Sequence, residues 1–127
     1  MTENEFNNLK IGDIVYSYKT VNPKYLSSIN AGVTKKIVKS INLKKDRKVI
    51  GLEHGGIIMD TLLNGFDTDK NKLIYLKLKD IKKKLFKLKQ SQYKDVVSIR
   101  AVEFKLEKIL NQKNVKKVLE LYPEILI

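Results

Sequence analysis

The feature that most constrains this chain is a long stretch of helical periodicity in its second half. From Ile74 to Ile109, apolar residues recur at alternating intervals of four and three, which is the spacing of a coiled-coil seam. Gln92 and Asp95 are its polar members. The apolar members are Ile74, Leu78, Ile81, Leu85, Leu88, Ile99, Val102, Leu106 and Ile109. The spacing predicts one long helix or a helical hairpin turning near residues 90–92. Because no Gly or Pro interrupts the stretch, a continuous or gently broken helix is favoured.

Such a seam needs a partner surface. A row of apolar side chains left exposed on a helix promotes aggregation, so it should pack on the rest of the chain, on its own second half or on another copy. Polar seam positions such as Gln92 and Asp95 are typical of coiled coils that fix their register at some cost in stability. We therefore expect a homo-oligomer.

The first half of the chain has the pattern of short strands. Residues 14–18, 33–42, 48–53 and 57–63 are rich in β-branched and aromatic side chains, and turn signals such as Gly55-Gly56 and Asn64-Gly65 separate them. We predict an α+β fold in which a small antiparallel β-barrel or curled sheet precedes a long basic helix or helical hairpin. The expected division is a β-rich module over 1–66 and a helical segment over 67–127.

The residues that lead into the first strand carry a family resemblance. The run Phe6-x-x-Leu9-Lys10-Ile11-Gly12-Asp13-Ile14-Val15-Tyr16 resembles the opening of SH3-like small barrels, in which a Gly-Asp step leads into the first strand. The chain is also similar to short proteins of bacteriophage type that combine such a barrel with a Lys-rich helix. This resemblance covers about half of the chain and implies a β fold without an enzymatic activity.

Positive charge is concentrated in one segment. The net charge is +12, from 26 Lys and Arg against 14 Asp and Glu. Residues 70–94 contain ten Lys and one Asp, a net +9, whereas the rest of the chain carries only +3. Only two of the basic residues are arginines, and Cys and Trp are absent, so a general bias toward Lys accounts for part of the charge. Such a bias does not explain its concentration, which points to a polyanionic partner.

The candidate ligand-binding residues follow from this charge. Lysines lie outside the seam positions on the first helical stretch, where they would face solvent or a ligand. A second basic group falls at the predicted hairpin tip, and Arg100 lies next to the seam. Arg is a planar donor suited to phosphate, which singles out the two arginines. The candidates are Lys77, Lys82, Lys83, Lys84, Lys87, Lys44, Lys45, Arg47 and Arg100.

The sequence contains no motif of an enzyme, and we expect none of its residues to be catalytic. His54 is the only histidine, and without cysteines a metal site has few ligands. The run Asp67-Thr68-Asp69 begins like a calcium loop but lacks its later ligands, and so predicts a helix N-terminus instead. We expect no metal, no cofactor and no membrane span. We also expect a cytoplasmic location, because the N-terminus does not resemble a signal peptide.

Three functions remain open. The first is sequence-tolerant binding of nucleic acid through the Lys-rich helix. The second is a phage-type inhibitor of a host defence factor, acting by binding a host protein or by sequestering a nucleotide signal. The third is a structural adaptor that uses the helix for assembly. The charge favours the first, the phage resemblance favours the second, and the seam alone would suffice for the third.

Overall fold

The computed structural model describes residues 1–61, 63–92 and 95–127 of the chain. It has the predicted α+β composition, with antiparallel strands in the first half and helices in the second. In chain order the elements are α1 (Glu3–Asn7), β1 (Ile14–Ser17), a 3₁₀ turn (Leu26–Ser28), β2 (Thr34–Lys44), β3 (Arg47–Leu52), β4 (Ile57–Met59), β5 (Phe66–Asp67), α2 (Lys70–Gln90), α3 (Val96–Leu110), α4 (Lys113–Leu121) and a final 3₁₀ turn (Pro123–Leu126).

The described strands form one open antiparallel sheet in the order β4-β3-β2-β1-β5. The curled-sheet alternative is therefore confirmed over a closed barrel. β4 ends at Met59, earlier than the predicted strand over 57–63, of which Leu62 lies outside the described residues. The sequence pattern missed β5, whose two residues follow the Asn64-Gly65 turn and pair with Tyr16 and Ser17.

The Gly-Asp step before β1 has a structural role. Gly12 has φ +94°, a left-handed conformation that glycine adopts without strain, and its N–H donates to the carbonyl of Val38 at 2.9 Å. The Asp13 carboxylate accepts from the backbone N–H of Lys10 at 2.9 Å, which closes the turn. This turn sets the direction of β1, and the Val15 side chain is fully buried in a hydrophobic core that also contains Phe6, Val38 and Ile50.

The described chain divides into two compact units. Residues 1–18 and 33–73 form the first, which contains the sheet, and residues 19–32 and 74–127 form the second, which contains most of the helical segment. The loop over 19–32 interrupts the strands in the sequence but belongs to the helical unit. Its apolar residues Val21, Ile29 and Ala31 are buried.

The helical stretch is broken and reversed, and the preference for a continuous or gently broken helix was wrong. α2 ends at Gln90 and α3 begins at Val96. The Lys89 ammonium lies 3.6 Å from the Glu103 carboxylate, whereas fourteen residues of continuous helix would separate them by about 21 Å. The chain therefore reverses between the two helices, as in the helical-hairpin alternative.

The break puts the two polar seam residues outside the core. Gln92 and Asp95 are both exposed, so their assignment as buried, register-fixing positions was also wrong. Asp95 is instead the N-cap of α3: its carboxylate accepts from the Ser98 backbone N–H at 3.1 Å and from the Ser98 hydroxyl at 2.7 Å. A side chain that satisfies free N–H groups starts a new helix here without Gly or Pro.

The cap leads to a prediction about pH. The hydrogen bonds from Ser98 lower the pKa of Asp95, so the cap stabilises the fold above the unfolded-state pKa of about 3.9 and is lost as pH falls through the lower folded-state pKa. Asp95→Ala should lower the thermal midpoint by a few degrees at neutral pH, with the difference shrinking below about pH 4. Thermal unfolding followed by circular dichroism across pH measures this. A difference independent of pH would contradict a role for the carboxylate.

Candidate polyanion-binding surface

The helix that carries most of the positive charge is α2. The Asp69 carboxylate accepts from the backbone N–H groups of Asn71 and Lys72 at 3.0 and 3.3 Å, which confirms the predicted helix N-terminus at this site. The apolar residues of the predicted seam are buried in the single chain, except for the half-buried Leu88. The seam is therefore already covered, and self-association, which stays a prediction, would need another surface.

Lys77 does not belong to the exposed set. Its side chain is only 4% exposed, and its ammonium donates to the Asn30 side-chain oxygen at 2.7 Å and to the Gly32 carbonyl at 2.8 Å. Burial lowers the pKa of Lys77 below the usual value for a lysine. The prediction that Lys77 faces solvent or a ligand is corrected, because its ammonium is used inside the helical unit.

Lys82 and Lys84 are half-buried and also make contacts within the unit. The Lys82 ammonium donates to the carbonyls of Ile125 at 2.5 Å and Ile127 at 2.9 Å. The Lys84 ammonium donates to the Val21 carbonyl and lies 3.5 Å from the Asp80 carboxylate. These two lysines keep their charge near the surface, but part of their hydrogen-bonding capacity is used to fix neighbouring segments.

Three exposed lysines on the side of α2 opposite the buried seam form what we call the lysine row: Lys79, Lys83 and Lys87. All three are exposed, and successive members are four residues apart, which places them about 6 Å apart along the axis. Like charges at this spacing destabilise a helix by roughly 0.2–0.5 kcal/mol per pair. A bound polyanion would remove that repulsion, so the row suits an extended ligand with repeated negative charges.

Lys89, in the last turn of α2, is a further exposed lysine that lies apart from the row around the helix axis. It is exposed and forms an ion pair with Glu103, which is exposed as well. Exposed pairs of this kind contribute little to stability and are easily exchanged for another partner. Lys89 therefore remains able to exchange Glu103 for a ligand anion.

The other basic candidates lie elsewhere in the fold. In the sheet unit, β2 and β3 are joined by a two-residue turn of Lys45 and Asp46, both with positive φ, and Lys44 pairs directly with Arg47. The structure thus brings Lys44, Lys45 and Arg47 together at one exposed tip. Arg100 is an exposed residue of α3, next to the buried Ile99.

Two clefts of the helical unit border α2. One, of about 390 Å³, is lined by residues 20–23 of the loop and by Lys84, Lys87 and Leu88. The other, of about 210 Å³, is lined by Tyr75, Lys79, Lys82, Glu124 and Ile125, and the Tyr75 ring stacks on Tyr122 with ring centroids 4.3 Å apart. Both clefts contain a member of the lysine row, so the row extends along two concave parts of the surface.

The structural lysines were missed by the sequence interpretation, although a signal was present. Lys77 and Lys84 are four residues before and three residues after Ile81, so they fall on nearly the same side of the helix as that buried residue. On α3, Lys105 similarly donates to the Leu26 carbonyl at 2.7 Å. Three lysines of the helices thus hold the loop over 19–32 through backbone carbonyls.

Within the described residues, no cluster of His, Asp or Glu side chains is arranged to hold a metal ion, and no helix has the length and apolar character needed to cross a membrane. Comparisons with protein-family models, with curated proteins and with solved structures find no match for this chain.

Proposed function

We propose that this protein binds nucleic acid without reading its sequence, through the solvent-facing side of α2. The observation that carries the proposal is the lysine row, Lys79, Lys83 and Lys87, which presents three exposed ammonium groups along one side of a helix in the most basic segment of the chain. Lysines supply point charges that contact phosphates, whereas reading of base edges relies on planar and amide donors.

The exposed lysines of α2 differ from its buried and half-buried lysines in a way that supports binding. Lys77, Lys82 and Lys84 donate to named acceptors inside the unit, so their positions are explained by the fold. The row and Lys89 instead add charge at the surface, where a high local potential speeds the encounter with a polyanion and weakens with added salt.

The test replaces Lys79, Lys83 and Lys87 together with glutamine, which has a similar helix propensity. Each phosphate contact contributes about −0.9 to the slope of log affinity against log salt for a duplex and about −0.7 for a single strand. Loss of three contacts should make the slope shallower by roughly two to three and weaken binding at least tenfold at low salt. Fluorescence anisotropy of labelled oligonucleotides over a series of salt concentrations measures both quantities.

The matched control replaces the exposed lysines Lys10, Lys35 and Lys39 of the sheet unit with glutamine, removing the same net charge from another surface. We expect this variant to keep most of the wild-type slope. Equal losses in the two triple variants would show that net charge alone is responsible. Absence of binding by the wild-type protein at low salt would overturn the proposal.

A further inference from the structure

The charged side of α2 contains one large apolar side chain that the fold does not bury. Phe86 is 60% exposed, although it belongs to a helix whose other large apolar residues are mostly buried. With about 100° of rotation per residue, Phe86 lies within about 60° of Lys79, Lys82, Lys83 and Lys89 around the helix axis. An exposed aromatic ring thus has lysines as its charged neighbours on the helix surface. The ammonium groups of three of them also contact other groups in this chain: Lys79 lies over the Tyr75 ring, Lys82 donates to Ile125, and Lys89 pairs with Glu103.

A second exposed phenylalanine of the same unit has different surroundings. Phe104 on α3 is 58% exposed, but Glu103 and Glu107 lie beside it, and the Lys108 ammonium lies 4.6 Å from the centre of its ring. Its neighbours therefore include both signs of charge. Of these two rings of nearly equal exposure, only Phe86 has charged near neighbours on its own helix that are all cationic.

The positive charge around Phe86 limits which kind of partner can bind to this surface. A second copy of this chain packed face to face would bring the same lysines against each other, and such like-charge contacts are costly. A partner for this surface has to supply a flat apolar group together with negative charge on either side. Unpaired nucleotides combine these properties, because their base faces are open and phosphates flank each base, whereas a duplex keeps its bases stacked inside.

We infer that Phe86 is a base-stacking residue and that the ligand of α2 is single-stranded nucleic acid. This inference rests on the proposed function, since the lysine row supplies the phosphate contacts. One base stacks on the Phe86 ring, and the neighbouring phosphates contact Lys83 and Lys89. The preference is for an unpaired strand over a duplex and not for a particular base, because every base has a face on which an aromatic ring can stack.

The first test is Phe86→Leu, which keeps an apolar residue of high helix propensity and removes the ring. Because Phe86 is exposed, the thermal midpoint should be unchanged. Affinity for a labelled oligodeoxythymidylate should fall about tenfold, while affinity for a labelled duplex stays within twofold of wild type. If Phe86→Leu binds the single strand as tightly as wild type does, the stacking inference is overturned. The proposed function is tested separately by the lysine-row variant, and it stands if that variant has lost binding.

The second test detects the contact directly. The chain has no Trp, so Phe86→Trp introduces a single indole at the proposed stacking position and Phe104→Trp introduces one at the matched control position. A base stacked on the indole should quench the emission of Phe86→Trp when oligodeoxythymidylate saturates the protein, and Phe104→Trp should change little. Quenching that is equal at both positions, or absent at position 86 while anisotropy reports binding, overturns the stacking contact.

Discussion

Replacing Lys77 with alanine should lower the free energy of unfolding by about 2–4 kcal/mol, the largest stability effect that we expect from a single charged residue. The change deletes a side chain that is only 4% exposed. It also leaves the Asn30 side-chain oxygen and the Gly32 carbonyl without the ammonium that donates to them. Urea unfolding measures the loss. The control is Lys79→Ala, the same substitution at an exposed site two residues later. It should lower the free energy of unfolding by less than about 1 kcal/mol.

The same variant has an expected pH dependence. Burial lowers the pKa of Lys77 in the folded state, whereas the unfolded chain keeps a value of about 10.4. Between these two pKa values the unfolded state binds more protons than the folded state, so this residue makes stability rise with pH across that window. The stability difference between wild type and Lys77→Ala should therefore grow as pH rises toward about 10. A constant difference would mean that the ammonium remains fully charged in the folded protein.

Asp67→Asn should lower the free energy of unfolding by roughly 2–3 kcal/mol. Asp67 is 1% exposed, and its carboxylate lies 3.9 Å from the Met1 ammonium and 3.8 Å from the Lys72 ammonium. Because asparagine has nearly the same shape as aspartate, the loss of stability is due to removal of the negative charge and not to a change in packing. Removing one partner of a buried pair leaves the remaining charge uncompensated, which usually costs about 3–5 kcal/mol of stability, and the partial exposure of Lys72 reduces this effect.

The control for this substitution is Asp60→Asn, the same change at an exposed position of the sheet unit. It should alter stability by less than about 0.5 kcal/mol. Chemical unfolding of the two variants under the same conditions makes the comparison. If Asp60→Asn destabilises the protein as much as Asp67→Asn does, the buried contacts of Asp67 are not the source of the effect.

Local signals in the sequence predicted much of the helical segment. Asp69 was identified as a helix N-terminus because a short acceptor there satisfies free N–H groups, and the structure confirms it. The seam spacing identified the buried side of both helices, since burial follows periodicity wherever a helix has one interior side. The break was predicted only as the less favoured alternative, because Asp95 fits the heptad register and is also a good N-cap, and spacing alone does not distinguish these roles.

The candidate site was predictable as a charged segment but not residue by residue. Position relative to the seam distinguishes Lys77 and Lys84 from the lysine row, but the presence of acceptors for their ammonium groups depends on the loop over 19–32. That loop is distant in sequence, and no local pattern places it in the helical unit. Phe86 was overlooked for a related reason: an apolar residue next to a seam position is usually assumed to be part of the core.

The use of lysines to hold the loop over 19–32 affects which substitutions the protein can tolerate over time. Lys77, Lys84 and Lys105 each donate to a backbone carbonyl, an acceptor that the loop offers whatever its side chains are. Apart from Asn30, whose side-chain oxygen also accepts from Lys77, the loop's own sequence can therefore change without breaking these contacts. The three lysines themselves have less freedom, because the longer, planar guanidinium of arginine does not fit a contact shaped for a compact ammonium. Purifying selection should act on these three lysines, while the lysine row should accept arginine freely.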